Sequence, residues 1–148
     1  MSALSKEDRD FLLRVRDILD RYIDDNQADP AKINETVEAI RTWKAGTAAS
    51  PVMYTAGDVR KQNDIPYRCA MTHTHHGEAD WDPAHAPSLW AAYHGTSPET
   101  ARPWTAPTGA HDQYLAGEYM IYTNGNTYKC KMNTVYSPTD YAQAWEVV

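Results

Sequence analysis

The sequence predicts a mainly β protein with an α-helical N-terminal leader, followed by two small antiparallel three-stranded β modules in tandem. Three observations predict it. The segment Tyr54-Thr-Ala-Gly57-Asp58, Tyr67-Arg-Cys69, Pro83 and Trp90 is written a second time as Tyr114-Leu-Ala-Gly117-Glu118, Tyr128-Lys-Cys130, Pro138 and Trp145. The Tyr-to-Gly, Tyr-to-Cys and Pro-to-Trp intervals are equal in the two copies, and only the Cys-to-Pro loop differs, being longer in the first. A fixed frame around an elastic loop marks a duplicated small domain. The first 46 residues carry a helical apolar period instead, and the residues after Pro51 break into short runs separated by turn residues. The expected boundaries are a helical hairpin and oligomerisation leader over 1–46, module 1 over 52–94, a Pro-rich connector over 95–109, and module 2 over 110–148.

Ser5 can cap the first helix with Asp8 three positions on, and acidic residues in that turn suit the helix dipole. Phe11, Val15, Ile18 and Tyr22, with Leu12, Leu19 and Ile23 beside them, make one continuous apolar stripe of heptad type. Asp29-Pro30 is an N-cap followed by proline at the first helical position, opening a second helix through Ile33, Val37, Ile40 and Trp43. A two-helix hairpin has little interior, so the stripe needs a partner: the second helix, the repeats, or the same helix of another subunit in a homo-oligomer, for which a fibre-like trimer is the expected form. Ala45 to Pro51 is small and polar and is expected to be a linker.

Val52 to Val59 and Ile65 to Met71 are the strand runs of the first copy, with the Asn63-Asp64 turn between them. In the second copy, Glu118 to Thr123 and Thr127 to Met132 flank Asn124-Gly125-Asn126, a hairpin turn because Asn-Gly takes positive φ readily. Each copy closes on its Trp, and Gly95 to Gln113 is expected to be an extended connector anchored by Trp104.

Composition excludes several functions. A net charge of −6 provides no basic surface for nucleic acid. No apolar run approaches the roughly 18 to 20 residues of a membrane span, so no membrane partner is expected. The start MSALSKEDRD lacks the apolar core of a signal peptide, so the chain is expected to be made in the cytoplasm without one. There is no phosphate loop, nucleophile elbow or zinc-peptidase helix, and modules this small offer no cleft to hold two carboxylates about 5 to 9.5 Å apart, so no enzyme is expected. Cys69 and Cys130 hold the same place in separate repeats and are expected to pack each in its own sheet. His73 and His75 share one side of an extended segment, with His76, His85 and His94 nearby, a spacing that can hold an ion. No Cys or carboxylate at firm spacing completes the set, so neither metal nor other cofactor is expected.

Tyr-x-x-Gly-Asp, Tyr-x-Cys, His-Thr, Trp-x-Pro and Leu-Trp in that order resemble the small chitin-binding type 3 domains, also called carbohydrate-binding modules of families five and twelve. The first copy carries Tyr54, Gly57, Asp58, Tyr67, Cys69, His73-Thr74, Trp81-Asp82-Pro83 and Leu89-Trp90. The second keeps Tyr114, Gly117, Tyr128, Cys130, Pro138 and Trp145, changes the acid to Glu118, and lacks the His-Thr and the Trp before its proline. The layout of leader, module, Trp104-Thr-Ala-Pro107 connector and shorter module also looks like that of small carbohydrate-binding proteins of phage and prophage tails.

The resemblance implies sugar binding by stacking, an aromatic ring covering the CH face of a pyranose while polar groups take its hydroxyls. Trp81, in the variable loop among Glu78, Asp80 and Asp82, is the leading candidate, followed by Tyr67, Trp90, Tyr93, His73, Tyr136 and Tyr141. Against this, large rings dominate small cores, and Trp90, Trp145, Tyr67 and Tyr128 at repeated positions fit core as well. Sugar-binding members carry a Trp-Trp or similar pair where this chain has Ala70-Met71 and Lys131-Met132. Two functions remain open. One is a non-catalytic protein of a phage or prophage tail or fibre, in the virion or extracellular after host lysis, that meets other tail proteins and binds an N-acetylhexosamine-containing glycan, chitin-like or a bacterial surface polysaccharide. The other is a purely structural virion protein using the same fold for subunit contacts. The missing pair favours the second and the loop Trp81 favours the first.

Overall fold

The computed structural model describes residues 3–148. Helix α1 (Lys6–Asp25) starts where Ser5 Oγ accepts the Asp8 N–H at 3.0 Å. Asp29 caps α2 (Pro30–Glu35), which is shorter than expected. The Thr36 hydroxyl donates to the Lys32 carbonyl at 2.9 Å, a side-chain competitor to the helical ladder, and after the 3₁₀ turn Val37–Ala39 the chain is extended at Ile40. Trp43 leaves the helical period because the first module's core takes it up.

Nine short strands follow: β1 (Val52–Tyr54), β2 (Val59–Gln62), β3 (Ile65–Cys69), β4 (His73–His75), β5 (Trp90–Ala92), β6 (Arg102–Pro103), β7 (Tyr119–Ile121), β8 (Thr127–Cys130) and β9 (Trp145–Val147). In the first half β2-β3-β5 is an antiparallel sheet and β1-β4 a separate antiparallel pair; in the second, β6-β7-β8-β9 is one sheet with β6 parallel to β7. Asn63 and Asp64 close the β2-β3 hairpin with both φ values positive, 52° and 61°, a conformation their short polar side chains tolerate.

The repeated letters turn out to be repeated bonds. The Gly57 N–H donates to the Cys69 carbonyl at 2.8 Å and the Cys69 N–H to the Asp58 carbonyl at 2.7 Å; Gly117, Cys130 and Glu118 repeat both distances. Gly57 and Gly117 sit at φ of 98° and 93°, where a side chain would be strained. Cys69 registers with Trp90 and Cys130 with Trp145. Tyr54 meets Trp90 edge-on at 5.0 Å, and Tyr114 meets Trp145 edge-on at 5.2 Å. Both cysteines are free and buried.

Each unit also begins earlier than its letters suggest. The Trp43 N–H donates to the Lys61 carbonyl at 2.8 Å, and the Trp104 N–H donates to the Ile121 carbonyl at 2.8 Å. Lys44 bonds the Tyr54 hydroxyl through both its N–H and its carbonyl, while the Thr105 N–H donates to the Tyr114 hydroxyl at 3.3 Å. Trp43-Lys-Ala and Trp104-Thr-Ala are therefore equivalent arms. The expected linker is tied down, since the Gly46 N–H donates to His75 Nδ1 at 2.8 Å and a Cβ there would lie 1.9 Å from the His75 carbonyl oxygen. The expected connector supplies β6. Three short strands bury too little alone, so each sheet recruits its flanking chain.

The leader is docked at one end only. Ile23, Ile33 and Ile40 form a core cluster with Val59 and Tyr93, and Asp20 bridges Arg16 and Arg41. The stripe through Phe11, Ile18 and Tyr22 stays exposed, Phe11 at 65%. The two modules touch through the His94 ring, stacked on Tyr114 at 3.7 Å, and through Arg102, which donates to the Tyr93 carbonyl at 2.8 Å and to Asn34 Oδ1. Among the described residues no helix is long and apolar enough to cross a membrane.

Candidate functional site

Trp81 lies in the loop between β4 and β5 with 40% of its surface open. Asp80 before it holds the left-handed φ of 61°, so the loop turns sharply where the indole emerges. His73 on β4 supports the ring from the side, with centroids 6.4 Å apart and planes near perpendicular, and meets Trp90 edge-on at 5.6 Å. The Nδ1–H of His73 donates to the Met71 carbonyl at 2.7 Å. Tyr54, Trp90, His73 and Trp81 thus form a chain of rings that ends at the surface.

The loop that carries Trp81 also carries acidic residues on both sides of it in the chain. The Asp82 carboxylate pairs with His85 Nδ1 at 2.8 Å, and Glu78 accepts from the His76 N–H at 2.9 Å and from its ring. Partial burial works to raise the Asp82 carboxyl, but hydrogen bonds from His85 and Gln62 outweigh it and hold the group below the usual carboxylate range. The same bond raises His85. Glu78 is held low by the His76 N–H. Carboxylates ionised at neutral pH, in the same loop as an open indole, are acceptors of the kind that a sugar's hydroxyl donors need.

His73 and His75 are not a ligand pair. His75 is buried with Nδ1 accepting from Gly46 and Nε2 donating to the Glu78 carbonyl at 3.0 Å, so neither ring nitrogen is free. Asp80, Asp82 and His85 each bring one ligand atom to within 4.8 Å of the others, but Asp82 and His85 already satisfy one another. Burial raises both thiols, that of Cys130 to about 11, so they stay protonated and unreactive.

Three candidate rings are core. Tyr67, Trp90 and Tyr93 are buried, Trp90 at 1% exposure, and the Tyr93 hydroxyl donates to the Gln27 carbonyl at 2.6 Å. They lie on the paired strands or just past them, where the small sheet needs volume, and present no open face to a ligand. Tyr136 and Tyr141 are exposed, 6.5 Å apart at 67°.

The second copy lacks the Trp before its proline, as expected, but carries another aromatic ring there. Tyr136 precedes Pro138 as Trp81 precedes Pro83. The Asp82 carbonyl accepts the N–H groups of His85 and Ala86, and the Ser137 carbonyl accepts those of Asp140 and Tyr141. The Leu89 carbonyl accepts the Ala70 N–H at 2.7 Å and the Ala144 carbonyl the Lys131 N–H at 2.7 Å. Trp81 and Tyr136 therefore leave the same frame at the same point, and the signal in the sequence was aromatic-x-Pro rather than Trp-x-Pro.

Residues 42–91 match the carbohydrate-binding module family 5/12. The match begins at Thr42, which bridges to Lys61 at the start of the arm, and runs through Trp90, so it spans the first unit as the bonds define it. Among solved structures, a family GH18 chitinase from Chromobacterium violaceum is similar at 30% identity over 45% of this chain and 16% of the chitinase, with a TM-score of 0.31. No protein of curated function matches the chain.

Proposed function

We propose that the protein is a non-catalytic carbohydrate-binding protein whose first module takes a pyranose ring on Trp81. The observation that carries this is the open indole at the end of a chain of rings rooted in the buried Tyr54 and Trp90, inside the segment matched by family 5/12. The resemblance to chitin-binding type 3 domains supports an N-acetylhexosamine-containing surface glycan. Replacing Trp81 with alanine is expected to weaken chitotriose affinity by roughly ten- to a hundredfold, the effect of removing about 1 to 3 kcal/mol of stacking, with the melting temperature unchanged. Calorimetric titration beside thermal melts checks this. Unchanged affinity with a lower melting temperature would make Trp81 a packing residue and overturn the assignment; no binding by wild type would leave the fold a structural one.

The helical leader ahead of two modules supports a place on a phage or prophage tail or fibre, among other tail proteins. We propose self-association through α1, whose Phe11, Ile18 and Tyr22 lie exposed on the helix while Ile23 is turned into the body. Leu12 and Leu19 widen the stripe beyond a two-stranded seam, which favours a trimer. Light scattering of the full chain at micromolar concentration is expected to give three chain masses, and the double variant Phe11→Ser, Ile18→Ser one. A monomeric wild type rules the trimer out.

A further inference from the structure

We infer that the second module carries its own sugar platform, the corner formed by Tyr136 and Tyr141, so that one chain grips a polymeric glycan at two places. The inference rests on the proposed function and extends it to residues outside the matched segment. Tyr136 is 59% exposed at the frame position of Trp81, although the core of this small module has taken in Tyr114, Cys130 and Trp145. Its backbone is pinned from both sides, its N–H donating to Thr134 Oγ1 at 3.0 Å and its carbonyl accepting Trp145 Nε1 at 3.0 Å. Among the described residues the corresponding Trp90 Nε1 of the first module has no partner, so the second module holds its ring on the firmer base.

The counterpart of Tyr141 is Ala86, which is buried. Where the first module presents one large indole, the second presents two exposed phenol rings meeting at 67°. Two rings at an angle suit a hexosamine whose CH face lies on one and whose acetamido methyl meets the other, with exposed phenol hydroxyls to pair with the sugar. Each open platform alone buries little ligand and binds weakly. Two on one chain raise the hold on a polymer by on the order of a hundredfold or more when both can be engaged, without any new contact.

The test is titration of the ¹⁵N-labelled full chain with chitotriose, as wild type, Trp81→Ala, Tyr136→Ala and the double variant, with retention on chitin beads measured in parallel. Both replaced rings are exposed, and melts confirm that each variant is folded. Wild type is expected to show two separate sets of shifted amides, around Trp81 and around Tyr136 to Tyr141. Each single variant is expected to lose its own set and keep the other, with bead retention falling at least tenfold in each. Shifts confined to the Trp81 loop, with Tyr136→Ala retained like wild type, overturn the second platform and leave the proposed function standing. Shifts at Tyr136 that persist in Trp81→Ala support it whatever the first module does. No shift anywhere overturns both.

Discussion

Trp90→Ala is expected to lower the melting temperature by roughly 10 °C and to leave the first module the weakest part of the chain, whereas Trp81→Ala leaves the melt unchanged. Trp90 is 1% exposed, packs on Tyr54 at 5.0 Å and on His73 at 5.6 Å, and sits opposite Cys69 in the sheet register. Emptying such a site costs about 3 to 5 kcal/mol, and each kcal/mol shifts a chain of this size by about 2 to 4 °C. The loss is one of packing, since the Trp90 indole N–H has no hydrogen-bond partner among the described residues to forfeit. Two rings of one chemical type, nine positions apart in one module, thus have opposite signatures in melts and titrations. A Trp90→Ala protein that melted like wild type while losing chitotriose would place Trp90 in the platform and undo the division between core and site.

The frame was legible because its letters are backbone requirements. Gly57 and Gly117 answer to a positive φ, Cys69 and Cys130 to a closed position facing a tryptophan, and these recur wherever the bonds recur. The capped start of α1 was legible for the same reason, Ser5 and Asp8 being a local bond. The arms at Trp43 and Trp104 were not. They join their sheets by one or two parallel bridges, too short to impose alternation, and one is disguised as a helix tail and the other as a proline-rich spacer. Nor could sequence separate open rings from buried ones. Tyr67, Trp90 and Tyr93 share their residue types with Trp81 and Tyr136, and only the position in the frame tells them apart. The stacking of His94 on Tyr114 is a contact between modules that leaves no local pattern at all.

The exchange of Asp58 for Glu118 between the two copies makes the second large prediction. Asp58 accepts the Thr55 N–H at 2.8 Å, and Glu118 accepts the Leu115 N–H at 2.7 Å in the same turn, but Glu118 lines the cleft between the modules. Gln27, Arg68, His94, His111 and Gln113 line that cleft with it. Glu118 is 6% exposed, its carboxylate has one bonded partner among the described residues, and burial pushes that carboxyl up to about 7. The folded state therefore holds the proton more tightly than the unfolded chain does. The stability this adds is fully present below the unfolded value of about 4.5 and is lost as pH rises through 7. Over that window the loss is about 3 kcal/mol, at 1.36 kcal/mol per pH unit of displacement. His94 runs the other way, since burial lowers it and its neutral form contributes stability that fades as pH falls. That contribution is common to wild type and to Glu118→Gln, so it cancels in their difference. The melting temperature of wild type minus that of Glu118→Gln is accordingly expected to fall by roughly 6 to 12 °C between pH 4.5 and pH 8. A difference that stays flat across that range would mean that water reaches the carboxyl and that the two modules part at this cleft in solution.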